Sequence, residues 1–299
     1  ALVGGLISSF KSIEKLNVNL MWEQANQLNF TKKLNDESSI FLLRRGFSII
    51  SYNLFLGREV NTRKNEYSSI LSFKDPSTYL NRIKYSKEGD EVFRRMKKKK
   101  FHVPILIHYA LIHSKLIFKA FPKIKIIQME KNPVELTYSW MNKKYGEKFY
   151  KNERVGILTL KKNNKIFPWF AYGWEKLYFS LSESDKIVYQ LEKLSKYQDE
   201  QYKKLNKSDK HKVLKIYFEN FVSDPKIYVK KIEKFLKTKK TSFSSKYLKA
   251  ERCPRKLKIK DYEFKKNILK RKLTKKAYLK LLSMERKYLK KVKFENLYC

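Results

Sequence analysis

Cations and hydroxyls placed where a strand hands over to a helix can grip a phosphate, and this sequence sets up that arrangement twice. In the stretch from Lys123 to Lys143, KIKIIQMEKNPVELTYSWMNK, an alternating apolar run ends at Lys131, a helix starts at Asn132-Pro133, and Ser139 follows eight residues after the lysine. Asn132 suits an N-cap, Pro133 the first helical position, and Glu135 the third position of a capping box, so capping alone accounts for those three residues. Lys131 and Ser139 are left over. A cation ending a buried strand points into the crevice at the carboxyl end of a sheet, where open α/β folds bind ligands. Ser139 shares a helix face with Glu135, and two donors converging from a strand end and a helix suit a phosphate.

The second arrangement lies in SIFLLRRGFSIISYNL. A strand expected at Ile40 to Leu43 runs into Arg44-Arg45-Gly46-Phe47-Ser48 and then a helix. Gly46 would permit a tight turn, and free backbone N–H groups at a helix start make an anion site. The G-x-x-x-x-G-K-[ST] spacing of a nucleotide P-loop is missing. GGLISSFKS, Gly4 to Ser12, is a rival loop ranked lower, having no room for a preceding strand in this sequence. A third candidate is His108, at the carboxyl end of the run PILIHY (Pro104 to Tyr109). A lone histidine on a buried strand is usually core, but its place at the strand end suits a general base. His113 is the second choice.

The elements that must hold these residues read as a single α/β domain with a central, mostly parallel sheet flanked by helices. Its strands are expected at Ile40 to Leu43, Pro104 to Tyr109, Ile124 to Met129 and Val213 to Phe218. Helical patterns follow three of them, and long helices are expected at Ser184 to Asn206 and Thr274 to Val292. Residues 1–39 read as an N-terminal extension and 40–299 as the domain. Insertions fall near 61–100, a polar surface excursion ending in RRMKKKK, and near 146–181. The latter's aromatics Phe167, Trp169, Tyr172 and Trp174 could line an acceptor pocket, but local core is the favoured reading.

The bulk numbers narrow the chemistry. The 299 residues are 42% apolar, enough for a core, and 69 Lys and Arg against 29 Asp and Glu give a net charge of +40. That excess attracts anions, yet it is spread along the chain without a nucleic-acid-binding module. Cys253 and Cys299 make no disulfide framework, and four histidines without H-E-x-x-H or a carboxylate cluster argue against a metal enzyme. No stretch is long and apolar enough to span a membrane. The sequence starts at Ala, so an upstream anchor or signal stays open. So does the compartment, with the cytoplasm placed first.

Together, the segments resemble the sulfotransferase family that uses 3'-phosphoadenosine 5'-phosphosulfate (PAPS), over roughly Ile40 to Leu289. Lys131-Asn132-Pro133-Val134-Glu135-Leu136-Thr137-Tyr138-Ser139 is similar to that family's Arg-Asn-Pro-x-Asp-x-x-x-Ser grip on the 3'-phosphate, with lysine for arginine. Arg44-Arg45-Gly46-Phe47-Ser48 looks like a degenerate form of its 5'-phosphosulfate loop, with Phe47 in place of a hydroxyl residue. The segment VLKIYFENFVSDPKIYVKKIEKFL resembles the family's strand, acidic turn and Asp-Pro-capped helix, and puts Phe218 where a tyrosine lies near the adenine. ERCPRKLKIKD, with Arg255 and Lys256, is loosely similar to the basic loop that closes over the nucleotide.

The resemblance implies a P-loop-like fold and a PAPS-dependent sulfotransferase. It would move a sulfuryl group to a hydroxyl or amine of a small molecule or glycan, release adenosine 3',5'-bisphosphate, and need no metal. Arg44 would stabilise the breaking bond and His108 would take the acceptor's proton. A nucleotide kinase lacks its Walker lysine and magnesium carboxylate here. Phe47 and Phe218 keep a further alternative, a catalytically degenerate polyanion or nucleic-acid binder on the same fold.

Overall fold

The computed structural model describes residues 2–64, 66, 69–84, 89–98, 101–152 and 156–292. They form a mixed α/β structure in which helices dominate. α1 (Leu2–Ser8) leads to β1 (Asn17–Val18), α2 (Leu20–Phe30) and α3 (Asp36–Leu56). After a 3-10 turn come α4 (Pro76–Ile83), α5 (Asp90–Lys98) and β2 (Ile105–Leu106). A second 3-10 turn (Ala110–His113) and α6 (Ser114–Ala120) carry the chain to β3 (Ile126–Glu130), α7 (Pro133–Asn142) and α8 (Tyr145–Lys151). The hairpin of β4 (Thr159–Lys162) and β5 (Lys165–Pro168) precedes α9 (Glu175–Ser180), α10 (Glu183–Lys204) and α11 (Lys207–Lys210). β6 (Val213–Tyr217) opens the last part: α12 (Phe218–Ser223), α13 (Pro225–Leu236), α14 (Ser242–Ala250), α15 (Ile259–Lys272) and α16 (Lys275–Val292).

Small sheets replace the expected central one. β1 pairs in parallel with β2, Asn17 opposite Ile105, and β3 pairs in parallel with β6, from Ile126–Val213 to Glu130–Tyr217. β4 and β5 pair antiparallel. Main-chain bonds prolong the first pair: Glu14 N–H donates to His102 O at 2.9 Å and His102 N–H to Ser12 O at 2.8 Å. Three of the four expected strand regions therefore contain strands, two of them displaced or trimmed by a residue or two and the third cut from Pro104–Tyr109 to Ile105–Leu106.

The fourth is not. Ile40 to Leu43 lies inside α3, whose limits are set by Asn35, accepting from Ser38 N–H as N-cap, and by Gly57 in the left-handed region at φ 74°. A four-residue apolar run cannot by itself distinguish strand from buried helix. The acidic first turn, Asp36-Glu37, and the absence of a breaker before Gly57 decide for helix. Gly46 does not break it, because its missing side chain has a packing use. A Cβ there would lie 3.0 Å from Trp22 Cδ1, so the glycine lets α2 pack close against α3.

Residues 1–39 are not an extension either. Leu2, Val3, Leu6, Phe10 and Ile13 are buried in one cluster with Ile216, Phe221, Val222, Val229 and Ile232, so α1 packs with β6, α12 and α13. The 61–100 segment also carries core residues, Ile70, Tyr79 and Val92. Tyr79 and the buried Arg82 close on Glu14, with the hydroxyl donating at 2.6 Å and the guanidinium at 2.9 and 3.0 Å. Lys99 and Lys100 of the basic run lie outside the described residues, as does Cys299. In the 146–181 segment Phe167, Trp169 and Trp174 are buried, and Phe167 and Trp174 join the core under α9, α10, α15 and α16. The aromatic cluster is local core.

Candidate functional site

The strand pair β3–β6 ends in a cluster of cations around one ring. Lys131 Nζ stands 5.0 Å from the centre of the Phe218 ring and the Arg255 guanidinium carbon 5.3 Å from it, each within cation–π range. Arg255 reaches the ring because its own N–H donates to Val222 O at 2.8 Å, which pins the basic loop over α12. Lys256 beside it is exposed. From α15, Lys265 makes two contacts to the Glu135 carboxylate at 2.8 and 2.9 Å, while Lys131 approaches Glu135 only to 3.9 Å. Ser139, half-buried, lies one turn past Glu135 on the same face of α7.

One buried carboxylate holds this end together. Glu219 accepts the Asn132 N–H at 3.0 Å and the Tyr288 hydroxyl, and so ties the start of α7 to α12 and α16. Burial is the main influence on it and raises its pKa; the two donors oppose that. The Asn132 side chain in turn accepts Val134 N–H at 2.9 Å. The first donors of α7 are thus committed inside the protein, and an anion here would be met by side chains. Lys131 suits that role. Burial lowers its pKa below 10.5, Glu135 and Glu219 push the other way, and Lys265 and Arg255 add to the lowering. An arriving anion would relieve this. Cations flanking an aromatic ring match a phosphate carried on a planar base.

The second predicted grip does not form. Arg44, Arg45, Gly46, Phe47 and Ser48 are all interior residues of α3, so their backbone N–H groups belong to the helix and make no loop. Arg44 Nε donates to Ala120 O at 3.1 Å, and the Ser48 hydroxyl returns to Arg44 O at 3.1 Å. Phe47 packs with Trp22 and Phe121, at centroid distances of 6.5 and 5.4 Å. The rival Gly4 to Ser12 is no open loop either. Gly4 and Gly5 are in α1, with Leu16 and Tyr247 filling the space beside them, and the Ser8 and Ser9 hydroxyls donate to Gly4 O and Leu6 O. Among the described residues, the 5'-phosphosulfate half of the nucleotide has no such loop to receive it.

His108 lies two residues past β2, with its side chain 62% exposed, so it is no core histidine. Its Nδ1 is 2.8 Å from Glu23 Oε1, and its backbone N–H donates to the same oxygen at 2.7 Å. Glu23, on α2, is buried at 4% relative exposure. The hydrogen bond to Glu23 raises the His108 pKa from 6.5, against the lowering effect of desolvation. Tyr109 next to it has φ 58°, an uncommon backbone state for a bulky residue and one often found at functional sites. His113, by contrast, is buried between Phe30 and Trp169 and is driven down to about 3 by burial, so it stays neutral. Sequence reasoning missed Glu23, since an acid in the first turn of a helix reads as a partner for the helix dipole.

Among the described residues no group of three or more His, Cys, Asp or Glu is placed to hold a metal, and no helix is long and apolar enough to cross a membrane. Comparison with protein-family models, with curated proteins and with solved structures returns no match.

Proposed function

We propose that the Lys131–Phe218–Arg255 cluster binds the 3'-phosphoadenosine end of a nucleotide, and that the chain is a PAPS-dependent sulfotransferase. The observation that carries the nucleotide reading is the convergence of two cations on one half-buried ring, 5.0 and 5.3 Å from its centre, at the end of a parallel strand pair. Lys131, Ser139 and Arg255 would hold phosphate, with Lys256 close by, and Phe218 would lie against the base. PAPS brings an already activated sulfuryl group. His108, held by Glu23, takes the proton of an acceptor hydroxyl or amine as the new bond to sulfur forms and the bond to the nucleotide phosphate breaks. The acceptor is a small molecule or a glycan.

A second reading keeps the anion site without the transfer. It is favoured by the placement of Arg44 to Ser48 within the helical register of α3, and it makes the protein a catalytically silent binder of nucleotides or polyanions. Calorimetry with adenosine 3',5'-bisphosphate and no added metal tests the shared part. Lys131→Ala and Arg255→Ala should each weaken binding, while Lys97→Ala on exposed α5 should not. Equal losses from all three would mean diffuse attraction to a basic surface. Transfer of labelled sulfate from PAPS to an acceptor panel then separates the two readings.

A further inference from the structure

We propose that Glu23 is a positioning residue that fixes His108 as an Nδ1–H tautomer with Nε2 bare and facing solvent. The inference rests on His108 being the proton acceptor of the proposed transfer. It follows from a chain of hydrogen bonds whose polarity is set at both ends by backbone donors. At one end Leu158 N–H donates to Gln27 Oε1 at 3.1 Å. A backbone N–H can only donate, so the amide oxygen of Gln27 faces Leu158 and its NH₂ faces Glu23. That NH₂ donates to Glu23 Oε2 at 3.2 Å. At the other end His108 N–H donates to Glu23 Oε1 at 2.7 Å.

Glu23 therefore receives hydrogen bonds on both oxygens, so each acts as an acceptor. The remaining contact, Nδ1 to Oε1 at 2.8 Å, then has one consistent direction: the ring nitrogen donates. Nε2 is left with its lone pair, on a side chain that is 62% exposed over a carboxylate that is 5% exposed. A buried acid behind an exposed imidazole is the arrangement that orients a general base and stabilises the imidazolium once it forms. It also gives the segment before β4 a role. Through Leu158 and Gln27 it holds the carboxylate that holds the base.

The test is long-range proton–nitrogen NMR on protein labelled with ¹⁵N-histidine, with His108 assigned from a His108→Gln sample. Wild type at a pH where His108 is neutral should show a protonated Nδ1 and a bare Nε2. Glu23→Ala should return the ring to the usual preference of free imidazole for Nε2–H. Glu23→Gln keeps an oxygen of the same reach and guards against a folding failure in the alanine variant. It should keep the tautomer but lower kcat for sulfuryl transfer by up to roughly a hundredfold or more, the scale of a general base's contribution. Binding of adenosine 3',5'-bisphosphate should persist in both. A wild-type ring protonated on Nε2, or a tautomer unchanged in folded Glu23→Ala, overturns the positioning role. Failure of wild type to bind the nucleotide instead overturns the functional reading and leaves the NMR result to decide on Glu23.

Discussion

Replacing Lys131 by methionine separates a binding role from a structural one, because the two roles predict opposite patterns. If Lys131 were structural, its partner would be Glu135, but that carboxylate already holds Lys265 at 2.8 and 2.9 Å and sits 3.9 Å from Lys131. Such a loose pair contributes about 0–1 kcal/mol. Against it stands the desolvation that lowers the Lys131 pKa, a sign that the folded protein disfavours the charge. Lys131→Met keeps the length and apolar stem of the side chain and removes the charge, so stability in urea should change by less than about 1 kcal/mol. Binding should respond differently. A charge-assisted hydrogen bond to phosphate contributes about 1.5–3 kcal/mol, so the dissociation constant of adenosine 3',5'-bisphosphate should rise roughly 10- to 150-fold. The assay is calorimetry at fixed salt beside a urea titration of the same samples. Lost stability with intact affinity would refute the reasoning, since it would make Lys131 a strut of the β3–α7 junction.

Other perturbations probe the parts around the site. Glu219→Ala removes the acceptor of a buried Asn132 N–H, and should cost at least the ~1–3 kcal/mol of an unsatisfied donor in a urea titration. Gly46→Val puts branched bulk where a Cβ already meets Trp22 at 3.0 Å, and should destabilise by about 1–3 kcal/mol while leaving nucleotide affinity alone. A large affinity loss there without a stability loss would restore the loop reading of Arg44 to Ser48. His108 has a folded-state pKa raised above 6.5 by Glu23. Its contribution to stability is therefore full below the unfolded value and fades as pH rises through the folded one. Wild type should exceed His108→Gln most in mildly acidic buffer, and an advantage that grew toward alkaline pH would contradict the assigned pair.

What the sequence made legible, and what it hid, divides along the range of the interactions involved. Local grammar was readable: Asn132-Pro133 and Asp224-Pro225 cap α7 and α13 as their residue types require. The runs that became β3 and β6 were also visible as strands, because each is bounded by its own start and stop signals. Ile40 to Leu43 failed for the complementary reason. Its apolar run was read without the cap at Asn35 and the stop at Gly57, and those lie far enough away to make a 21-residue helix. The site shows the same limit at longer range. Lys131 stood out because nothing local needed it, whereas Arg255 looked like one more basic residue until a main-chain bond to Val222 set it beside Phe218. Glu23 was hidden most completely, since its local excuse was sufficient and its partner is 85 residues away. The Lys131 cluster and the His108 contact are thus held by opposite means. The Lys131 cluster is built on a helix start that its own sequence specifies. The His108–Glu23 contact exists only once α2 and the segment after β2 have come together, so the tautomer proposed for His108 would be a property of the assembled fold and would report directly on it.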